Sequence, residues 1–177
     1  MSDPGLIPGP EALHVVLVGE MGVGKTTVGE IVAELLGREL RDSDRWLERA
    51  AGRRGASIAA EHGVADLHGL EQVAFREMVD GAPAVIAAAA SVVDDSWARG
   101  VLEQQLTVWL TAPPEIVEAR CASGSHRRAV DPVERGKLMA RRASWFEEVS
   151  RFAIDTGSDA PAAVAAEILA RLGHDQP

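Results

Sequence analysis

The segment 19–27 (GEMGVGKTT) contains the residues whose types and spacing point most directly to chemistry. Two glycines five residues apart, followed by a lysine and a hydroxyl residue, match the phosphate-binding loop pattern. Glycines let backbone N–H groups curl around phosphate oxygens, and the positive end of the next helix points at those oxygens. Lys25 then reaches the β- and γ-phosphates, and the Thr26 hydroxyl can bind Mg²⁺. The residues expected around the phosphates are Gly22, Val23, Gly24, Lys25, Thr26 and Thr27.

The alternative is a turn that is merely rich in glycine, but such a turn needs no Lys-Thr pair at this position. The flanking sequence favours the binding loop, because residues 14–18 (HVVLV) predict a buried strand and residues 27–36 predict an amphipathic helix. Strand, glycine turn and helix is the order that the loop requires. A dinucleotide-binding loop is not predicted, because Thr27 stands where that pattern has its last glycine.

Two carboxylates, Asp42 and Asp44, follow a short predicted strand over residues 39–41. We expect the pair, separated by Ser43, to lie on an extended segment, with one carboxylate facing Mg²⁺ and the other an acceptor hydroxyl. Ligands bind at the carboxyl edge of such sheets, which favours a functional interpretation. The alternative is a polar turn that caps the helix predicted to begin near Arg45, for which Ser43 or Asp44 would suffice.

The elements that must position these residues alternate along the chain. Further strands are predicted at residues 84–88, 106–110 and 152–155, and further helices at residues 45–51, 56–62, 65–79, 114–121, 134–149 and 161–172. This alternation indicates an α/β fold, a five-stranded parallel sheet with helices on both faces, in a single domain over residues 11–177. Residues 1–10 are expected to form a flexible N-terminal tail, and the polar stretch 123–134 a mobile loop.

The composition limits the possible partners. A formal charge of −9 argues against a general nucleic-acid binder, and 177 residues suit one domain. Cys121 is the only cysteine, which excludes an internal disulfide and a cysteine metal cluster. Because no leader or membrane-spanning run is recognised, we expect a cytoplasmic protein without a membrane partner, and a monomer.

Several motifs together resemble the shikimate kinase family. They are residues 19–29 (GEMGVGKTTVG), 42–44 (DSD), 57–63, 108–115 (VWLTAPPE) and 138–142 (LMARR), with Arg120 and Arg127. The resemblance therefore covers nearly the whole chain and is more specific than the phosphate loop alone. It implies a small P-loop kinase that transfers the γ-phosphate of ATP to shikimate, in the precursor pathway of the aromatic amino acids.

The resemblance also implies roles for single residues. Thr26 and Asp42 would attend Mg²⁺, and Asp44 would contact the acceptor hydroxyl and act as its base. Arg120 would lie by the adenine. Arg127 would be the lid arginine that approaches the phosphates, and with Lys25 it would stabilise charge on the transferred group. Arg142 would meet the acceptor's carboxylate.

The acceptor half departs from the family pattern. His68 follows Leu67 where the family has a Phe-Arg pair, and Val64 stands in place of a glutamate. The loss of a bidentate arginine contact weakens carboxylate binding by about 1.5–3 kcal/mol, or one to two decades of affinity. A run of three glycines after the central strand is replaced by Ala89, Ala90 and Ser91. Methyl groups there would crowd the acceptor or strain a positive φ by about 1–2 kcal/mol.

These departures leave three interpretations open. The favoured one is a shikimate kinase whose acceptor site includes Asp44, His68, Ala89, Ala90, Ser91 and Arg142. The second is a kinase for a related cyclitol or polyol, and the third is a nucleotide-binding paralogue without turnover. Retention of Lys25, Asp42, Asp44, Arg127 and Arg142 argues against the third.

Overall fold

A computed structural model of the chain describes residues 10–123 and 132–174. The strands are β1 (Val15–Val18), β2 (Leu40–Asp42), β3 (Val85–Ala87), β4 (Leu106–Thr111) and β5 (Phe152–Asp155). The helices are α1 (Lys25–Leu36), α2 (Ser43–Ala51), α3 (Gly55–His62), α4 (Val64–Met78), α5 (Ser96–Glu103), α6 (Pro114–Ser123), α7 (Pro132–Val149) and α8 (Pro161–His174). Short 3₁₀ helices occupy Pro10–Ala12 and Ala90–Asp94.

The five strands form one parallel sheet in the order β2-β3-β1-β4-β5, which confirms the predicted sheet. β1 is the central strand, and its Val16 pairs with Ile86 of β3 on one side and with Thr107 of β4 on the other. The segment after β1 therefore leaves the middle of the sheet at its carboxyl edge, where ligands bind in open α/β folds.

Alternate residues of β1 supply two separate cores, as expected for a strand buried on both faces. Val15 and Leu17 pack with residues of α1 and α8 on one face. Val16 and Val18 pack on the other face with residues of α4, α5 and α7. All four β1 side chains are at most 1 % exposed, so the sheet centre is a rigid platform for the loop that follows.

The ends of the helices follow local sequence rules. Gly37 ends α1 with φ of 62°, and its N–H donates to the carbonyls of Ala33 and Glu34. Asp42 and Asp95 cap α2 and α5 by accepting from the backbone N–H three residues later. Proline is the first residue of α6, α7 and α8, where its missing N–H costs no helical hydrogen bond.

Residues 90–103 differ from the sequence prediction, which placed no element between the third and fourth strands. The structure has a 3₁₀ helix there, followed by α5. The Asp95 cap and the buried Ala98 and Leu102 are the local features that explain α5. The helix predicted from residue 134 begins at Pro132. Residues 124–131 of the predicted mobile loop and residues 1–9 of the predicted tail lie outside the described residues.

None of the helices within residues 10–123 and 132–174 combines the length and the apolar character that crossing a bilayer requires.

His14 connects three segments at the opposite, amino edge of the sheet. Its Nδ1 accepts from the Ala84 N–H at 3.0 Å, and its Nε2 lies 3.2 Å from the Val79 carbonyl. Since Nδ1 accepts, the ring is the neutral Nε2–H tautomer, which donates to Val79. Burial has the largest effect on the pKa of His14 and lowers it. The hydrogen bond to Val79 opposes burial, and the positive charges of Arg41 and Arg38 lower the pKa further, so the net shift is downward.

We expect this histidine to make stability depend on pH. A lowered pKa means that the stabilisation is present above the unfolded value of 6.5 and is lost as the pH falls below it. Protonation removes the acceptor of the Ala84 N–H, which costs about 1–3 kcal/mol. Urea unfolding of the wild type should therefore show a steeper loss of stability between pH 7 and 5 than His14→Asn. The exposed His62→Gln serves as the control and should follow the wild type.

Candidate functional site

A cavity of about 490 Å³ opens at the carboxyl edge of the sheet. Its walls come from the loop after β1, the start of α2, one side of α4, the segment after β3, and parts of α6, α7 and α8. The predicted site residues that line it are Gly22, Val23, Gly24, Lys25, Thr26, Thr27, Asp42, Asp44, His68, Ala89, Ala90, Ser91, Arg120 and Arg142. The structure therefore brings together every predicted site residue except Arg127, which lies outside the described residues.

The loop after β1 depends on glycine at two tightly packed positions. Gly19 has φ of 139°, and a Cβ there would lie 2.3 Å from the carbonyl oxygen of Leu110 in β4. Gly22 has φ of 87°, and its Cβ would lie 2.7 Å from the Cys121 sulfur. Positive φ and close packing both exclude side chains here. The loop thus curves tightly across the end of β4 and against α6.

Lys25, the first residue of α1, folds its side chain back over this loop. Its Nζ donates to the carbonyls of Gly19 at 2.8 Å and Glu20 at 2.9 Å. Burial lowers the pKa of Lys25, and the negative charges of Glu20, Asp44, Asp42 and Glu71 partly offset this effect. The amine is therefore held at the centre of the loop, where a phosphate group would lie in a phosphate-binding loop.

Thr26 and Asp42 are in direct contact. The Thr26 hydroxyl donates to Oδ2 of Asp42 at 2.7 Å, while Oδ1 of the same carboxylate accepts from the Arg45 N–H at 3.1 Å. The capping role that the sequence offered as an alternative is thus filled by Asp42, and the same side chain also faces Thr26. One carboxylate and one hydroxyl are suitable oxygen ligands for Mg²⁺ beside a phosphate.

One geometric argument from the sequence is wrong. Asp44 does not lie on an extended segment with Asp42, because β2 ends at Asp42 and Asp44 is in the first turn of α2. Because Asp42 caps α2, the helix begins at Ser43, directly after the last residue of β2. Both carboxylates nevertheless line the cavity.

At the other end of the cavity, Arg142 of α7 makes a two-point ion pair with Asp94. Its Nε donates to Oδ1 at 3.0 Å and its Nη2 to Oδ2 at 2.6 Å. Burial by itself would lower the pKa of Arg142. The hydrogen bonds and charge of Asp94, together with the charges of Glu20 and Glu71, more than offset this effect and raise the pKa. His68 lies beside this pair, with Nδ1 4.0 Å from Oδ2 of Asp94.

The segment that replaces three glycines adopts an ordinary conformation. Ala89 has φ of −60° and ψ of 150°, and no described residue other than glycine has a positive φ. The predicted backbone strain is therefore wrong. The Ala89 N–H donates to the Ser43 hydroxyl at 2.9 Å, and the buried Ser91 hydroxyl donates to Glu71. Hydrogen bonds to α2 and α4 therefore hold this segment in place.

Arg120 and Thr156 lie at the far side of the loop, near α8. Arg120 donates to the Thr156 carbonyl at 2.8 Å and to its hydroxyl at 3.2 Å. The Thr156 hydroxyl is 2.7 Å from the Val23 carbonyl, to which it donates. Thr156 therefore links the end of β5 to the loop, and Arg120 to both. The sequence predicts the nucleotide beside Arg120, so we call this region, with Asp159 and Pro161, the nucleotide end. The other region, where the sequence predicts the acceptor, we call the acceptor end; it contains Asp44, His68, Glu71, Ser91 and Arg142.

Among the residues that were not predicted as part of the site, Glu71 and Thr156 line the cavity and Asp94 contacts Arg142, which also lines it. Glu71 lies one helical turn after His68 on α4, and this spacing could have indicated it. Thr156 directly follows a predicted strand at the ligand-binding edge, which is a weaker indication. No sequence pattern indicates Asp94, because its place in the site depends on its contact with Arg142, 48 residues away.

Comparisons with known proteins agree with this geometry. The sequence model of the shikimate kinase family matches residues 21–173. Shikimate kinase of Corynebacterium glutamicum is 33 % identical over 165 residues, which are 91 % of this chain and 97 % of the relative. The enzyme of Symbiobacterium thermophilum is 35 % identical over 167 residues, 90 % of this chain and 96 % of the relative.

Solved structures show the same relationship. The structure of shikimate kinase from Acinetobacter baumannii in complex with shikimate is 30 % identical to this chain and matches it with a TM-score of 0.85. The match covers 95 % of this chain and 97 % of the Acinetobacter baumannii chain. Shikimate kinase from Aquifex aeolicus, at 22 % identity and a TM-score of 0.78, covers 92 % of this chain and 98 % of its own and shares the fold. A match over nearly the full length, with the phosphate loop and both carboxylates in one cavity, shows that the chain belongs to the shikimate kinase family.

Proposed function

We propose that the protein transfers the γ-phosphate of ATP to a hydroxyl of shikimate. The observation that carries this proposal is the single cavity that joins the phosphate-binding loop to Asp44 and Arg142. Phosphoryl transfer needs a donor and an acceptor positioned in line within one cavity, and the lining provides a place for each. Shikimate is the ligand in the complex of the 30 % identical Acinetobacter baumannii enzyme, which covers 95 % of this chain.

Thr26 and Asp42 would hold Mg²⁺ together with phosphate oxygens and water. Their oxygen atoms lie 2.7 Å apart, and Mg²⁺ is usually bound by one or two carboxylates plus substrate phosphates. Within the described residues, no three His, Cys, Asp or Glu side chains are placed to hold a metal alone, so the phosphates would complete the site. When bound, the ion would neutralise charge on the β- and γ-phosphates.

The remaining roles follow from position. The backbone of Gly22, Val23 and Gly24 and the Lys25 amine would cradle the phosphates, and Arg120 would lie beside the base at the nucleotide end. Asp44 would accept the proton of the acceptor hydroxyl as it attacks. Arg127, with Lys25, would stabilise charge on the transferred group; this role rests on the family resemblance.

A second acceptor class is favoured by one observation. Asp94 already occupies two N–H groups of Arg142, so the arginine is less available to an acceptor carboxylate. This pairing would weaken the binding of a neutral cyclitol or polyol less than the binding of shikimate, because a neutral acceptor has no carboxylate to pair with Arg142. Such an acceptor would use the same donor half and the same base.

We further propose that residues 11–177 form one catalytic domain preceded by a flexible tail, and that the protein acts as a cytoplasmic monomer. Its partner would be a small acceptor, in the pathway that leads to the aromatic amino acids, without nucleic acid or membrane. The formal charge of −9 supports the exclusion of nucleic acid, whose phosphates it would repel.

The first prediction from this proposal is ADP release that depends on the acceptor. With Mg²⁺-ATP, the purified protein should release ADP faster when millimolar shikimate is present, as measured by a coupled assay. Release stimulated by a neutral cyclitol but not by shikimate would favour the second acceptor class. Nucleotide binding without release in either case would contradict kinase activity.

A second prediction concerns Asp44. Asp44→Asn should lower kcat by about 10²- to 10⁴-fold, because it removes a general base, while the Kd for ATP stays within a few-fold of the wild type. Asp66→Asn is a matched control, since Asp66 is also an exposed carboxylate in the first turn of its helix. An Asp44 variant that loses ATP binding and turnover in parallel would argue against a base.

A third prediction concerns the metal. Thr26→Val removes the hydroxyl next to Asp42 but keeps the shape, so the Mg²⁺ concentration needed for half-maximal activity should rise by about 10- to 100-fold. Thr26→Ser retains the hydroxyl and should resemble the wild type. If the valine variant needs the same Mg²⁺ concentration as the wild type for half-maximal activity, Thr26 does not bind the metal.

A further inference from the structure

The cationic side chains of the cavity have separate places. Among the described residues, the lysine and arginine side chains that line it are Lys25, Arg120 and Arg142. Lys25 donates within the phosphate loop, and Arg120 bonds to Thr156 at the nucleotide end. Of these three cations, Arg142 lies at the acceptor end, so it is the one that could bind an anionic group of the acceptor.

Arg142 is already paired along one edge. Asp94 is the last residue of the 3₁₀ helix that follows β3, and its two oxygens accept from Nε and Nη2 of Arg142. The Arg142 side chain is 6 % exposed and that of Asp94 is 22 % exposed, so water screens this pair weakly. Two of the five guanidinium N–H groups are used, and the other three remain able to donate.

The surroundings add negative charge. Glu71 and Glu20 both act on Arg142 electrostatically, in the direction that favours its charged form. Glu71 is buried and lines the same end of the cavity as Arg142. A carboxylate that enters this end meets a guanidinium whose charge Asp94 balances, and the negative charge of Glu71 acts at the same end of the cavity. A hydroxyl group meets the same free N–H donors without that repulsion.

We infer that Asp94 is a specificity-determining residue that competes with the acceptor's carboxylate for Arg142. The acceptor end then discriminates little between a carboxylate and a neutral group at this position, and its preferred substrates are polyhydroxylated rings whether or not they carry an acid. This inference rests on the proposed function, because it assumes that the acceptor is bound at this end of the cavity.

The test replaces Asp94 by asparagine, which keeps the shape and one acceptor oxygen but removes the charge. For Asp94→Asn, the KM for shikimate should fall by roughly 10- to 100-fold, the range of a charge-assisted two-point contact. The KM for the neutral methyl ester of shikimate and the kcat for either acceptor should change by less than about 3-fold. Wild-type protein should use the acid and the ester with similar KM.

Asp95→Asn is the matched control, because it removes the same charge one residue later. Asp95 caps α5 by accepting from the Ala98 N–H, and asparagine can still accept there. This variant should leave both KM values unchanged. Asp94→Ser provides a second variant for the same comparison, and thermal melting checks that each protein is folded.

Several results would overturn the inference. One is a KM for shikimate that stays the same or rises in both Asp94 variants, which would make Asp94 a support for Arg142. Another is an equal change for acid and ester. If neither the wild type nor any variant turns over shikimate, the proposed function fails. Calorimetric measurement of shikimate binding then tests the role of Asp94 separately from turnover. Tighter binding by Asp94→Asn than by the wild type supports the competition, and equal or weaker binding refutes it.

Discussion

The close approach of Gly19 to β4 is the constraint on which the site depends. β1 is the central strand, and the chain leaving it must turn over the end of β4, where the Leu110 carbonyl occupies the space of a Cβ on residue 19. Only glycine fits at this position with φ of 139°. This turn directs the loop towards α1, allows Lys25 to reach back to the Gly19 and Glu20 carbonyls, and places Thr26 beside Asp42.

The two halves of the site differ in how far the sequence predicted them. The phosphate loop, its strand and its helix are contiguous, so their residue types and spacing were sufficient to predict both the structure and the residues in the cavity. Four of the strands were predicted for the same reason, since each is a short, mainly apolar run, whereas β2 contains Leu40 as its one apolar residue. Local patterns of this kind do not depend on what the rest of the chain does.

The acceptor end could be predicted only in part, because it is assembled from distant segments. Asp94 and Arg142 are 48 residues apart, and Ser91 and Glu71 are 20 apart. The family resemblance identified Arg142, His68 and the altered segment after β3, but it gave no information about which groups pair. Strain was expected at Ala89 from the lost glycines, yet the backbone there takes an extended conformation that any residue adopts.

Thr156 has a consequence for the thermodynamics of ligand binding. Its hydroxyl bonds to the Val23 carbonyl of the loop and accepts from Arg120, and its backbone N–H donates to the Thr111 carbonyl of β4. These bonds of Thr156 hold three segments in position within the fold. The conformational entropy of ordering the loop is lost during folding and is not lost again when a ligand arrives. The part of the site around Thr156 is in this sense preorganised.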